Sequence, residues 1–312
     1  MSYIFGIDVG GTSVKLGLFK EDKLIKKYQI PSNTEEKGKY VLKDITNKIK
    51  EVLKEEKISL KDVKGFGFGV PGQAVNNRVI KTVNLGWEDI QLDKEFKDLM
   101  KEEVYVKVGN DATLAAIGEY TKMGLDRSIV FITLGTGVGG GFIINGAWFE
   151  GATGAAGEIG HITIDKNGPL CTCGNRGCLE TYASIRGWNM IAEEVIKEGK
   201  LKTKLDINNL DPRFIHTLAK EGDEVGIEVV KRVADILGFA CANIAAIINP
   251  DVFIIGGGIS NAGWILMDNL KESFSKYAFY GVADTKFELA KLGNDAGMYG
   301  CYYMVKKWNN EW

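Results

Sequence analysis

Ile4–Phe19 reads IFGIDVGGTSVKLGLF, and Ile129–Ile144 reads IVFITLGTGVGGGFII. Each is an apolar strand, a glycine-rich turn and a second strand, and the two begin about 125 residues apart. A pattern written twice at this spacing implies a duplicated chain, with two related halves facing a cleft. In the first copy Tyr3–Asp8 runs into the turn VGGT, Ser13–Phe19 returns, and Lys23–Ile30 adds a third strand. This is an antiparallel meander that opens a domain.

Outward from the first copy, Val41, Ile45, Ile49, Val52 and Leu53 share one helical face, which predicts an amphipathic helix over about 37–56. Ser59 and Asp62 have the look of a short helix cap. Lys64–Val70 is a strand with interleaved Gly65, Gly67 and Gly69, broken by Pro71-Gly72, and an irregular stretch follows. Leu92–Lys101 reads as helix, Val104–Val108 as buried strand and Asn110–Lys122 as helix. Outward from the second copy, Ser128–Leu134 is an apolar strand, and Asn145-Gly146 marks a hairpin turn. Helices are expected over roughly 179–199, 212–220 and 223–248, the last N-capped by Asp223 and stopping before Pro250. Strand Val252–Ile255, helix 262–277, strand 286–290 and helix 295–308 finish the chain. The expected division is a small α/β domain over 1–109 and a large α/β domain over 110–294. A C-terminal helix of about 295–312 is expected to pack back on the small domain.

At 312 residues the chain exceeds what one core fills comfortably. Its 45% hydrophobic and 26% charged content is that of a soluble enzyme. A net charge of -2 argues against a nucleic-acid or membrane surface. No apolar run reaches the length of a membrane span. The start, MSYIFGIDVGG, enters a strand pattern with no basic leader, so a cytoplasmic location is expected. There, clustered cysteines bind metal more often than they form disulfides.

Gly135-Thr136-Gly137-Val138-Gly139-Gly140 satisfies GxGxxG, which marks a dinucleotide site only between a strand and a helix. Here GFIING continues as strand and hairpin, so NAD binding is rejected, and no Walker A pattern is present. What remains is a turn whose successive N–H groups form a nest for anionic oxygens. Gly10-Gly11-Thr12 forms a second nest with an added hydroxyl, and Lys15 joins this phosphate set. Gly256-Gly257-Gly258 is a third glycine run, opening a helix. Singly, such glycines merely permit tight turns. Three at strand ends suit ATP: two for phosphates and one for close approach of the adenosine. Asp8 beside the first nest needs a cation there and is assigned to the Mg²⁺ region. The other reading of Asp8 is a capping or turn aspartate.

Val108-Gly109-Asn110-Asp111 sits where a strand becomes a helix, the place where such sheets bind ligands. Phosphoryl transfer to an alcohol needs a proton acceptor. Asp111 is the candidate base and Asn110 a hydroxyl-binding neighbour, although an Asn-Asp pair there also reads as an N-cap. Asn84, in KTVNLGW, binds a hydroxyl or is a turn asparagine, with Trp87 shaping the wall. Gly72 is placed with the same substrate set.

Gly157–Glu180, GEIGHITIDKNGPLCTCGNRGCLE, holds three of the five cysteines and one of the two histidines. Cys171, Cys173 and Cys178 are soft ligands, Gly174 and Gly177 let the chain fold around a small ion, and His161 is the fourth ligand. Four protein ligands leave no open position, so the zinc is structural. A ligating histidine needs a partner for its second nitrogen, here a substrate hydroxyl. The flanking Glu158 and Glu180 can each accept two hydrogen bonds from vicinal hydroxyls. Asn84, Asn110, Asp111, Glu158, His161 and Glu180 together describe a polyol pocket. His216, Cys241 and Cys301 read as core.

In this order, DVGGT, GND, LGTGVGGG, EIGH and CTCGNRGCLE resemble the ROK family of repressors, open reading frames and sugar kinases, over essentially the whole chain. The resemblance implies an actin-like, hexokinase-like ATPase fold, with two α/β domains and a cleft between them. It implies Asp111 as base, a sugar held by Asn84, Asn110, Glu158, His161 and Glu180, and zinc on His161, Cys171, Cys173 and Cys178. It also implies a homodimer or homotetramer. The family's repressors carry a winged helix-turn-helix ahead of the first strand. Here that strand begins at residue 3, which favours a kinase. The expected reaction is ATP-dependent phosphorylation of a hexose at its 6-hydroxyl, glucose first. Alternative acceptors are N-acetylmannosamine, N-acetylglucosamine, fructose and allose. A non-catalytic sugar sensor is the alternative of another class.

Overall fold

The computed structural model of the chain describes residues 2–82 and 84–309. In order, the elements are β1 (Tyr3–Val9), β2 (Ser13–Lys20), β3 (Lys23–Pro31), a single turn α1 (Glu35–Gly38), α2 (Val41–Glu55), β4 (Val63–Val70), β5 (Gly72–Val75), β6 (Arg78–Thr82), β7 (Glu88–Gln91), α3 (Leu92–Met100), β8 (Val106–Asn110) and α4 (Asp111–Lys122). Then come β9 (Ile129–Leu134), β10 (Val138–Ile144), β11 (Ala147–Phe149), α5 (Glu180–Ala183), α6 (Ile185–Glu198), α7 (Pro212–Lys220), α8 (Glu224–Ile248), β12 (Val252–Gly256), α9 (Trp264–Tyr277), β13 (Lys286–Leu289) and α10 (Ala296–Asn309).

The first sheet has the order β3-β2-β1-β4-β8, with β2 antiparallel to its neighbours and β4 parallel to β1 and β8. The second has the order β11-β10-β9-β12-β13, with β10 antiparallel to β9 and β12 parallel to β9 and β13. The repeat therefore extends beyond the two quoted stretches. In each sheet the first strand of the hairpin is followed by two parallel strands of the same rank, reached through helical crossovers.

The chain divides into two compact units: Met1–Leu125, Trp148–Ala156 and Asn294–Trp312 form one, Asp126–Ala147 and Gly157–Gly293 the other. The boundary expected at 109/110 thus falls inside the first unit. The reason is α4, which lies against α10 backbone to backbone. A Cβ on Gly118 would stand 2.3 Å from the Ala296 carbonyl oxygen, and one on Gly300 would stand 1.7 Å from that of Leu114. The interleaved glycines of β4 have the same cause: a Cβ on Gly67 would lie 2.2 Å from the Cys301 oxygen. The helix rests on bare strand backbone, and Ile4, Phe19, Met298, Tyr302 and Val305 seal its flank. Residues 310–312 of the expected C-terminal span lie outside the described residues.

Three other expectations change. The single helix over 179–199 is two, because Ser184 is extended (φ -78, ψ 172) and accepts from the Gly187 N–H to cap α6. The irregular stretch after Pro71-Gly72 is a small antiparallel sheet, β5-β6-β7. Its turn places Asn76 and Asn77 both at positive φ, 52 and 61. That is the backbone a two-residue hairpin needs, and asparagine tolerates it. Ser59 makes no side-chain cap bond, and only one turn of 3₁₀ helix, Leu60–Asp62, follows it.

Candidate active site

In the first unit, Asp8 is the penultimate residue of β1, opposite Lys15 of β2. The Lys15 ammonium lies 3.8 Å from Asp8 Oδ2 and donates to the Asn294 carbonyl at 2.8 Å. Burial raises the Asp8 carboxyl above its ordinary value, Lys15 pulls it down, and Asp295 adds to the rise. The turn that follows is braced. Gly10 N–H donates to the Ser13 carbonyl at 3.0 Å, Ser32 Oγ donates to the Gly10 carbonyl at 2.6 Å, and Ser32 N–H donates to the Thr12 carbonyl at 3.0 Å. A Cβ on Gly11 would sit 3.0 Å from that of Asn84. A predicted sugar-binding residue therefore stands beside a predicted phosphate turn.

At the end of β8, Asn110 is held through both atoms of its amide. Its Oδ1 accepts from Thr113 N–H at 3.0 Å, and its Nδ2 donates to the Gly72 carbonyl at 3.1 Å. The capping role thus falls to Asn110, and Asp111 is the first helical residue, accepting from the Ala112 N–H at 2.8 Å. Gly72 serves through its backbone. A Cβ there would lie 2.2 Å from the Lys81 oxygen, so a larger residue would push the carbonyl away from Asn110. Trp87 is not a wall of the site. It is only 4% exposed, and its indole N–H donates to the Gly38 carbonyl at 3.0 Å. Its backbone pairs with Thr82, which closes the loop that carries the exposed Asn84.

In the second unit, the β9–β10 turn is tied down by Glu180. Glu180 Oε2 accepts from the Val138 N–H at 3.1 Å, and a Cβ on Gly137 would lie 2.5 Å from the same oxygen. Gly135 donates to the Gly137 carbonyl at 3.0 Å and accepts from Ile185 N–H at 2.8 Å. A cavity of about 690 Å³ opens beside Thr136, lined by Ile185, Arg186, Asn189, Met190 and Leu210 among others. The third glycine run serves a different contact. Gly257 (φ +82) lets β12 approach β9, since a Cβ there would stand 2.3 Å from the Leu134 oxygen. Gly258 opens a 3₁₀ turn, Gly258–Ala262, and α9 starts only at Trp264.

His161, Cys171, Cys173 and Cys178 converge, with their ligand atoms within 4.8 Å of one another. Cys173 and Cys178 sulfurs are 3.6 Å apart, and Cys171 Sγ lies 3.7 Å from His161 Nδ1. A disulfide requires about 2.05 Å. Zn–S bonds of about 2.3 Å give tetrahedral edges of roughly 3.8 Å, so the donor set fits zinc. Burial, then the neighbouring thiols, push Cys178 up to about 12, an environment that a cation relieves. The Asn175 N–H holds Cys173 below its usual value. The loop is anchored where Gly177 accepts from Ile164 N–H at 2.7 Å and Ile162 accepts from Leu179 N–H at 3.0 Å. With Nδ1 turned to the sulfurs, His161 keeps Nε2 for another partner. Glu158 is exposed at the start of the turn Ile159–His161. The hydroxyls of Ser32 and Thr172 (the latter 3.4 Å from Glu180 Oε1) carry no signal in the sequence, because Ser32 belongs to no motif and Thr172 fills the variable position between two motif cysteines. A further cavity of about 910 Å³ behind the zinc loop contains none of the predicted site residues.

The sequence model of the ROK family matches residues 4–308. The chain belongs to the ROK family. It is 40% identical to a glucokinase of Halalkalibacterium halodurans, across 98% of this chain and 95% of that one. A xylose repressor of Caldicellulosiruptor bescii is 31% identical across 97% of this chain and 77% of the repressor. Among solved structures, a ROK family glucokinase from Streptomyces griseus in complex with glucose and AMPPNP has a TM-score of 0.79 at 27% identity, covering 98% of this chain and 100% of that one. The fold is the α/β, actin-like and hexokinase-like ATPase fold that the motifs imply.

Proposed function

We propose that this ROK family protein is an ATP-dependent glucokinase, transferring the γ-phosphoryl group to the 6-hydroxyl of glucose. The observation that carries the reading is the β8–α4 junction, where Asn110 is fixed through both ends of its amide and Asp111 follows it. Asp111 accepts the hydroxyl proton as the oxygen attacks phosphorus in line. Asn84, Asn110, Glu158, His161 and Glu180 are the side chains that take the sugar hydroxyls. The glucose and AMPPNP bound by the Streptomyces griseus relative support a hexose and ATP.

The N–H groups of Gly11 and Thr12 and of Thr136 and Gly137, with Lys15, receive the phosphates, those of Gly10, Gly135 and Val138 already donating within the protein. The cavity beside Thr136, where Ile185, Met190 and Leu210 stand among polar side chains, takes the adenosine in place of glycines 256–258, of which Gly256 and Gly257 are packed against Phe131 and Leu134. Asp8 is the residue that would serve the Mg²⁺ carried by ATP, an ion that would supply neutralising charge at the phosphates. His161, Cys171, Cys173 and Cys178 would hold a zinc ion whose role is structural. A homodimer or homotetramer in the cytoplasm belongs to the same reading; exposed Ile247, Phe279 and Tyr280 offer apolar area for assembly. Among the described residues no helix is long and apolar enough to cross a membrane.

The test is a coupled ADP-release assay across glucose, fructose, allose, N-acetylglucosamine and N-acetylmannosamine. Glucose is expected to give the highest kcat/KM. Preference for an acetylated hexosamine overturns the substrate, and no turnover with any sugar makes the protein a sensor. Asp111→Asn should lower kcat by about 10²–10⁴ with little change in glucose KM. Near-normal kcat removes Asp111 from the base role.

A further inference from the structure

Trp148–Ala156, WFEGATGAA, belongs by its packing to the first unit, although the chain on either side belongs to the second. This strap is pinned at several points. Gln73 Nε2 donates to the Thr153 carbonyl at 2.7 Å. Gly154, at φ +78, lies so flat on β5 that a Cβ would stand 2.4 Å from the Ala74 oxygen. The Lys307 ammonium sits 4.8 Å from the centre of the Trp148 ring. The strap closes on itself where Ala156 N–H donates to the Glu150 carbonyl at 3.1 Å.

The strap ends one residue short of Glu158. Gly157, the residue between, is itself packed: its φ is +95, and a Cβ would lie 2.7 Å from the Gly140 oxygen. The turn Ile159–His161 follows at once, with His161 N–H donating to the Glu158 carbonyl at 3.1 Å. Glu158 therefore has no slack on either side. Gln73, which anchors the strap, is the neighbour of Gly72, whose carbonyl accepts from Asn110 Nδ2 at 3.1 Å. One dipeptide on β5 thus holds Asn110 through a backbone carbonyl and the approach to Glu158 through a side-chain amide.

We infer that Gln73 is a positioning residue for the sugar site: its hydrogen bond to Thr153 sets the path of the strap and so the placement of Glu158. The inference rests on the glucokinase reading and extends it to a residue outside the recognised motifs. The chemistry requires a donor at Gln73, since its partner is a carbonyl oxygen. Glutamate has nearly the same shape but offers only acceptors to that oxygen, whereas lysine restores a donor.

Wild type, Gln73→Glu and Gln73→Lys are compared by steady-state kinetics, with glucose and ATP varied separately. Hydrogen exchange at the Ala156 amide is followed in each unliganded protein. Gln73→Glu should raise glucose KM roughly 3–10-fold, the effect of about one lost hydrogen bond, and leave ATP KM unmoved. It should also speed exchange at Ala156, and Gln73→Lys should recover most of both effects. The idea is overturned if glucose KM does not change, if both KM values rise together, or if the two variants behave alike. Should wild type release no ADP with glucose, the glucokinase reading fails and the exchange arm decides. Faster exchange in Gln73→Glu then upholds the anchor, and unchanged exchange removes it.

Discussion

Glu180 accepts a hydrogen bond from the Val138 N–H at 3.1 Å, which joins the end of the cysteine loop to the β9–β10 turn. Its other oxygen lies 3.4 Å from Thr172 Oγ1 and 4.0 Å from Cys171 Sγ. A residue read from the sequence as a sugar ligand thus also shapes a turn read as phosphate-binding. Glu180→Ala should therefore raise both KM values, each by roughly tenfold, because it leaves the Val138 N–H without its acceptor. Glu180→Gln retains an acceptor for that N–H and should spare ATP KM while still weakening glucose. Steady-state kinetics separate the two, and an unmoved ATP KM in Glu180→Ala would show that the turn does not depend on the tie.

Cys173→Ser should abolish zinc binding, lower Tm and raise glucose KM, since a metal on these four ligands would fix His161 and the loop around it. The motifs alone suggest that the ATP side would be spared. The bond from Glu180 to Val138 modifies this: ATP KM should rise too, by less than glucose KM. Metal analysis, melting and kinetics on protein purified without chelator check all three. Wild type without near-stoichiometric zinc would end the structural role.

Gly300→Ala sets two effects against each other. Alanine in a helix interior gains about 1 kcal/mol over glycine. The new methyl would stand 1.7 Å from the Leu114 carbonyl oxygen, a backbone atom that cannot rotate away. Overpacking of this kind costs about 1–3 kcal/mol or more, so the clash wins and Tm falls by several degrees. An increase in Tm would mean that α4 and α10 can part without loss.

Asp8 has its carboxyl raised by burial, despite the nearby Lys15. The folded chain then holds a proton that the unfolded chain has already released, over a window just above the ordinary value of 3.8. Stability contributed at Asp8 accordingly falls as pH rises through that window. Asp8→Asn removes the dependence. Its Tm relative to wild type should climb as pH rises above the ordinary carboxylate range in buffer free of Mg²⁺ and nucleotide, while its turnover drops. Parallel Tm–pH curves for the two proteins would contradict this.

The duplication was legible because strand, glycine turn and strand are written twice, and pairing in one sheet repeats in the other. The third sheet was hidden by its brevity. Gly72–Val75 and Glu88–Gln91 have four residues each, too few for an alternation to register. The donors of the cysteine loop stood out because histidine and cysteine are rare here. Trp87 was misread because an aromatic beside a polar turn looks the same whether it lines a wall or braces a loop. The membership of α4 and the strap in the first unit rests on contacts such as Gly118 with Ala296 and Gln73 with Thr153, and no local pattern records them.

The seat of α10 on bare glycine backbone also orders events in time. β1 and β4 leave the ribosome long before α10, the last of the described helices, so the strip at Gly6 and Gly67 waits uncovered. At roughly 5–20 residues per second that interval runs to tens of seconds. The second unit's sheet, by contrast, is complete before α10 is made. Synthesis thus delivers a finished second half before the first can close, and the nascent amino-terminal sheet is the part that a chaperone would have to shelter.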